Sequence, residues 1–279
     1  MLTLVTGCRG RVGSALTALL HRGGHAVRAA SRNPAGLALP DGVPAVACDL
    51  GDPATFPAAL EGVGSVFLYA EPAHIDAFLT AARAAGVRHI VLLSSSSVLA
   101  PDPASNPVAA SHHTVEQALT ASPLTTTLLR PGPFATNAYQ WSGAFRSGHP
   151  VDLPYPRSGG APLHETDIAE AALAALTDPA FQGAAYHLTG PESLSAAEQV
   201  AVLAAASGTP ATVNEVSPQA WKEAVSPFMP AEVADGLLAY WALTDGTPAE
   251  VTGEVERLTG RPARTFASWA ADHAASFRA

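Results

Sequence analysis

With 279 residues, a net charge of −9 and a single lysine, the chain lacks the basic surface that nucleic acid requires. None of its apolar stretches approaches the roughly eighteen residues of a membrane helix, and no charged-then-apolar leader opens it. Cys8 and Cys48 stand far apart, unlike a disulfide framework or a zinc pattern, so a reducing cytoplasm is the expected setting.

The apolar run Leu2-Thr3-Leu4-Val5 predicts a strand over 2–6 that enters the loop Thr6-Gly7-Cys8-Arg9-Gly10-Arg11-Val12-Gly13. A helix follows over 12–22, with Val12, Leu16, Leu19 and Leu20 at helical spacing and Gly23-Gly24 as its stop. A strand that breaks into glycines and then a helix suits a dinucleotide pyrophosphate. Gly7 permits the tight turn, Gly10 removes the Cβ that would meet the phosphates, Gly13 lets the helix approach the sheet, and the helix N-terminus presents free N–H groups.

Strand and helix patterns then alternate: strands over 26–30 and 43–47, a helix over 53–60, a strand over 65–69, a helix over 73–85 ended by Gly86, a strand over 89–93, a helix near 111–120 and a strand over 125–129. Such βαβ alternation with right-handed crossovers predicts a doubly wound parallel sheet of six strands with its ligand crevice at their carboxyl ends. After Arg130-Pro131-Gly132-Pro133 the pattern changes, and Pro150, Pro154, Pro156, Gly159, Gly160 and Pro162 mark an irregular excursion over a substrate. The string His164-Glu165-Thr166-Asp167 reads as a helix start, since acids gather at N-termini for capping alone. Ile168, Ala172, Leu173 and Leu176 follow on one face. Residues 184–188 supply a further strand. From 195 onward the chain reads as mostly helical, with Trp221, Phe228, Trp241 and Trp269 as large apolar groups that either wall a pocket or form a docking face. The expected division is a dinucleotide-binding domain of 1–132 plus 164–190 and a smaller, mostly helical substrate or lid domain of 133–163 plus 191–279.

An NAD site places an acid about twenty residues beyond the glycines, to take the ribose hydroxyls. Here that position holds Ser31-Arg32-Asn33-Pro34, and no acid occurs in 9–40. A guanidinium there pairs with a 2′-phosphate that a carboxylate would repel, so NADP(H) is the expected cofactor, with Arg32 the principal contact and Arg9 assisting. Arg11 reads equally as a contact or a solvated surface group. Asp49-Leu50, after the third strand, faces the adenine or else caps the next helix. Tyr69-Ala70 and Ser94-Ser95 close the fourth and fifth strands and should approach the nicotinamide half, although strand-end serines also serve as turn formers. The expected cofactor set is therefore Thr6, Gly7, Arg9, Gly10, Arg11, Val12, Gly13, Ser31, Arg32, Asp49, Leu50, Tyr69, Ala70, Ser94, Ser95 and His112.

Nearly end to end, the chain resembles the NmrA-like, atypical branch of the short-chain dehydrogenase/reductase superfamily. The resemblance rests on Thr6-Gly7-x-x-Gly10-x-x-Gly13, Ser31-Arg32-Asn33-Pro34, Cys48-Asp49-Leu50, Ala84-Ala85-Gly86-Val87, Leu93-Ser94-Ser95, His112-x-x-x-Glu116-Gln117-Ala118-Leu119 and Leu129-Arg130-Pro131-Gly132-Pro133-Phe134. It implies a Rossmann-type α/β domain that binds NADPH and a small, variable C-terminal domain. Some members reduce quinones, azo dyes or iminium-like centres, and others only sense the nucleotide.

The superfamily's usual Tyr-x-x-x-Lys pair is missing: Lys222 is the only lysine, and Val108 and His112 stand where the tyrosine and lysine would be. Reducing an unactivated ketone needs a strong acid nearby, whereas an activated acceptor needs mainly positioning. The chain is thus expected to be an NADPH-dependent oxidoreductase acting on a quinone, an enone or an imine. A non-catalytic NADP(H) sensor with a protein partner is the alternative. His112, or its neighbour His113, is the first candidate for a ribose contact or proton relay, and Tyr69 a weaker catalytic candidate. Phe134, Asn137, Tyr139 and Trp141 are candidate substrate contacts, with lid packing the competing role for the last two aromatics. Ser94–Ser97 lacks nucleophile-elbow glycines, and the histidines lack helical metal spacing, so hydrolase and metal chemistry are not expected.

Overall fold

The structure, a computed structural model, describes residues 1–278. In chain order the elements are β1 (Leu2–Val5), α1 (Arg11–Arg22), β2 (Val27–Ser31), β3 (Ala45–Ala47), α2 (Phe56–Leu60), β4 (Val63–Tyr69), α3 (Ile75–Ala84), β5 (His89–Leu93), α4 (Pro107–Ala121) and β6 (Thr125–Pro131). Then come α5 (Ser142–Ser147), β7 (Val151–Leu153), β8 (Gly159–Gly160), α6 (Glu165–Thr177), β9 (Ala185–Leu188), β10 (Leu194–Ser195), α7 (Ala196–Ser207), β11 (Val213–Glu215), α8 (Pro218–Val225), α9 (Ala231–Thr244), α10 (Glu254–Thr259) and α11 (Phe266–Asp272).

Seven strands form one parallel sheet in the order β3-β2-β1-β4-β5-β6-β9. Near-continuous apolar strands such as Ile90-Val91-Leu92-Leu93 suit a sheet covered on both faces. On one face Leu4, Val66, Leu68, Ile90 and Leu92 pack with Phe56, Phe78, Val115 and Leu119 from α2, α3 and α4, and the Phe56 and Phe78 rings meet edge to face at 5.2 Å. α6 packs against α1 and the sheet, and its small residues Ala169 and Ala172 are fully buried. The strand order reverses between β1 and β4, so the carboxyl ends of those two strands open the crevice in which such sheets bind ligands.

Two compact units divide the chain: Met1–Pro131, Glu165–Leu188 and Glu254–Gly260 in the first, and Gly132–His164, Thr189–Gly253 and Arg261–Ala279 in the second. The sequence places 254–260 in the lid. The structure instead puts α10 in the first unit against α6, with Val255 and Leu258 buried and the Arg257 guanidinium 5.5 Å from the Tyr186 ring centre. A six-residue helix with two apolar residues is too short for periodicity to reveal its partner. One other boundary moves for a local reason, and one face differs from its expected burial. α4 starts at Pro107 rather than near 111, because the Asn106 side chain accepts the N–H groups of Val108 (2.9 Å) and Ala109 (3.2 Å), and Pro107 needs no donor in the first turn. Leu173 is only half-buried, whereas Glu165 and Asp167 in the first turn of α6 are buried.

The second unit has a core of Phe145, Val151, Leu153, Val200, Leu203, Phe266, Trp269 and Phe277. β7 pairs with β11 in parallel, and β8 with β10 antiparallel. A reciprocal capping box between Ser195 and Glu198 starts α7. Trp221 and Trp241 from α8 and α9 meet edge to face at 4.9 Å, while Phe228 between those helices is 87% exposed. No helix among the described residues is long and apolar enough to cross a membrane.

Candidate functional site

Thr6 fastens β1 to β4 at the switch point. Its hydroxyl donates to the Phe67 carbonyl at 3.0 Å and accepts the Tyr69 N–H at 2.9 Å. The next residue, Gly7, has φ +67°, a backbone conformation that favours glycine, and an added Cβ would stand 2.7 Å from the Tyr69 ring. Gly10 donates its N–H to the Gly7 carbonyl at 2.9 Å, closing the turn. At Gly13 a Cβ would lie 2.6 Å from that same carbonyl; the bare Cα is what lets α1 sit so close. Val12 is buried beneath the loop, and Arg11 opens the helix.

Cys8 points inward. Its Sγ donates to the Val5 carbonyl at 2.9 Å and lies 3.3 Å from the Thr17 hydroxyl, which donates to the Gly13 carbonyl at 2.8 Å. Burial pushes this thiol up, so it braces the loop as a neutral group. The first turn of α1 contains no acid, and its N-cap, Gly10, has no side chain to occupy the N–H groups. A helix end left open in this way, behind a loop whose Gly10 adds no Cβ, fits an anionic pyrophosphate.

At the adenosine side, the Arg9 Nη2 donates to the Asn33 carbonyl at 3.2 Å, which draws the loop arginine to the exposed Arg32 segment. Ser31 Oγ accepts the Asn33 N–H at 3.3 Å. Asp49 does not cap the helix. Its Oδ1 accepts the Gly51 N–H at 3.0 Å, and Asp52 takes the capping role by accepting the Ala54 N–H at 3.1 Å. Leu50 packs against the core below, as does Ala70 after β4. Burial and the Asp49 charge together raise the Cys48 thiol to about 11.

Ser94 sits at the carboxyl end of β5, buried, and its hydroxyl donates to Glu116 Oε1 at 2.5 Å. The same carboxylate accepts Arg130 Nε at 3.0 Å and Nη2 at 2.6 Å, a bidentate pair. Ser95 turns its hydroxyl to the 96–99 turn, accepting the Ser97 N–H at 3.2 Å and the Ser97 hydroxyl at 2.9 Å. Both hydroxyls are thus engaged within the protein. Glu116 and Arg130 lie within the motifs quoted above, but their union across two elements had no sequence signal.

On α4, one turn before Glu116, His112 has a buried Nδ1 that makes no hydrogen bond. Burial lowers its pKa and the Glu116 charge partly opposes that, so the ring is neutral near pH 7. An orphaned imidazole nitrogen is a fitting partner for a ribose hydroxyl. His113 is also half-buried, and Val108 is exposed. Tyr69, the end of β4, is 38% exposed, and burial raises its phenol.

Of the four candidate substrate contacts, Tyr139 and Trp141 are half-buried and pack against the core of the second unit. The Tyr139 hydroxyl is 2.8 Å from His273 Nδ1, and its ring meets Trp269 edge to face at 5.2 Å and Phe277 in parallel at 5.9 Å. Trp141 packs against the same cluster. Phe134 bridges Leu163 through the backbone, and Asn137 is exposed. His273 carried no sequence signal as a partner of Tyr139.

A family model described as NAD(P)H-binding matches residues 7–179. The chain is 37% identical over 98% of both chains to the (4-alkanoyl-5-oxo-2,5-dihydrofuran-3-yl)methyl phosphate reductase of Streptomyces griseus. It is 36% identical, over 99% of both chains, to the NAD(P)H azoreductase of Xenophilus azovorans. A crystal structure of an NADPH-dependent quinone oxidoreductase from Escherichia coli superposes with a TM-score of 0.83 at 26% identity, covering 98% of this chain and 99% of that one. With its glycine loop at the β1/β4 switch point and relatives matched end to end, the chain belongs to the NAD(P)H-binding family, as an NAD(P)H-dependent oxidoreductase.

Proposed function

We propose that this chain reduces an activated, conjugated small molecule, a quinone, an enone or an imine, with NADPH, and does so without a dedicated strong acid. The observation that carries this reading is the composition of the nicotinamide side. α4 presents Val108 and a neutral His112 in place of Tyr-x-x-x-Lys, and the Ser94 hydroxyl is donated to Glu116. When bound, the cofactor supplies a hydride to an acceptor held against its nicotinamide. The protein's share is then positioning: the glycine loop and the open end of α1 hold the pyrophosphate, and His112 holds a ribose hydroxyl through its unpartnered nitrogen. Hydride delivered to a quinone or an enone leaves a delocalised oxyanion that water can protonate, and hydride delivered to an imine in its protonated, iminium form leaves a neutral amine outright. The names of the relatives, which act on an azo compound, a butenolide and a quinone, support an acceptor with a polarised conjugated bond.

The preference for NADPH rests on Arg9 and Arg32 beside an acid-free 9–40 segment. Arg32→Ala is expected to weaken NADPH binding by about 1–3 kcal/mol, as loss of a hydrogen bond to a charged phosphate does, while NADH affinity stays within error. Equal losses for the two coenzymes in a fluorescence titration would refute the assignment.

The function itself is tested by following NADPH consumption at 340 nm, roughly the nicotinamide absorbance maximum, with a panel of quinones, butenolides, azo dyes and imines. Turnover with at least one conjugated acceptor, and none with simple aliphatic ketones, is the expected result. Tight NADPH binding with no oxidation by any acceptor would instead identify a nucleotide sensor.

A further inference from the structure

The geometry points to Tyr69 as a ligand of the cofactor's pyrophosphate, donating from its hydroxyl beside the N-terminus of α1 rather than reaching the nicotinamide half. This rests on the reading of residues 6–13 as the NAD(P)H seat. The tyrosine ends β4, across the switch point from the glycine loop, and its ring lies along that loop from Gly7 to Gly10. A Cβ at Gly7 would stand 2.7 Å from Cδ2 and 3.0 Å from Cε2. At Gly10 a Cβ would stand 3.8 Å from the phenol oxygen and 3.3 Å from the Gly7 carbonyl.

The hydroxyl is thus aimed at the place a phosphate must enter to reach the N–H groups of the first turn of α1. Two constraints keep it there. The Tyr69 backbone is tied through its N–H to Thr6, itself bonded to the Phe67 carbonyl, and the ring rests on Gly7, where no side chain can displace it. The phenol is a neutral donor throughout the physiological range, because burial raises its pKa above the ordinary tyrosine value. A neutral O–H placed against a dianionic pyrophosphate gives a charge-assisted hydrogen bond, and its site adds no charge that would discriminate NADPH from NADH. Arg32 and Tyr69 therefore divide the work, the one choosing between coenzymes and the other holding both.

The test is Tyr69→Phe, which keeps the ring on Gly7 and deletes only the oxygen. NADPH and NADH affinities, measured by quenching of intrinsic fluorescence, are expected to fall by the same factor, about tenfold. Affinity for 2′-AMP, which has the phosphorylated adenosine but no pyrophosphate, is expected to be unchanged. Undiminished NADPH binding by Tyr69→Phe overturns the assignment, and so does an equal loss for 2′-AMP, which would report a disturbed loop. Failure of the wild-type protein to bind either coenzyme would sink the seat itself and the hydroxyl's role with it. Normal wild-type binding with an indifferent Tyr69→Phe variant would sink the hydroxyl's role alone.

Discussion

Replacing Arg130 with alanine is expected to remove about 3–5 kcal/mol of folding stability, the cost of leaving a buried carboxylate without its cation. The Glu116 side chain is 6% exposed and accepts three hydrogen bonds, from the Ser94 hydroxyl and from Nε and Nη2 of Arg130. Those donors sit at the carboxyl ends of β5 and β6, so one carboxylate on α4 ties two adjacent strand ends together. It also fixes α4, which carries His112, against the strand end that leads into Ser95. The partners are not equally sheltered. Arg130 is 23% exposed, and water can solvate it once the acid is gone, so Glu116→Gln is expected to cost less than Arg130→Ala. Converting both to apolar residues, Glu116→Leu with Arg130→Met, should recover most of the loss, because no unpaired charge remains in the interior. Urea denaturation of the single and double variants gives the coupling directly. A loss below about 1 kcal/mol for Arg130→Ala would reduce the network to the rank of a surface ion pair.

That network also shows where sequence reasoning stops. The glycine loop was legible because its requirements are backbone requirements: a positive φ at Gly7 and a 2.6 Å approach at Gly13 leave glycine as the residue that fits, so the chemistry is written in the residue type. The seventh strand, β9, was legible at 184–188 because a short apolar run after a helix has few other places to go. The start of α4 was missed: the helix was expected near 111, although it begins at Pro107 behind the Asn106 cap. Side-chain destinations were not legible. Nothing in Leu93-Ser94-Ser95 announces that the Ser94 hydroxyl bonds a glutamate 22 residues on, or that the Tyr69 ring lies over Gly7. Tyr139 followed a proline-glycine turn as a substrate contact would, yet its hydroxyl pairs with His273, 134 residues distant. Pairings across such separations are set by packing of whole elements, which local patterns do not encode.

Acid is expected to destabilise the protein by about 3 kcal/mol through His89 alone as the pH falls from 6.5 to 4. His89 begins β5 in the middle of the sheet and is 2% exposed. Its Nε2 lies 2.9 Å from the Thr127 hydroxyl, which also accepts the Gly183 N–H at 3.1 Å, and its Nδ1 is buried with no hydrogen-bond partner. A second proton on this ring would place a charge in the sheet interior with one neutral hydroxyl to share it, and burial accordingly lowers the pKa to about 4. In the unfolded chain the same imidazole titrates at about 6.5. Between those values the unfolded state holds the proton and the folded state does not, so stability is complete above the upper value and is lost progressively toward the lower one. The loss is about 1.4 kcal/mol per pH unit at its steepest and levels off below about 4. His89→Gln can retain a hydrogen bond to Thr127 and does not titrate. Urea denaturation of both proteins from pH 7 to pH 4 should therefore show the wild type losing about 3 kcal/mol more than the variant. The carboxylates and His112, whose pKa is also lowered, contribute alike to both and cancel in the difference. A stability gap between the two proteins that stays constant over this range would mean that His89 is already charged, or already solvated, within the fold.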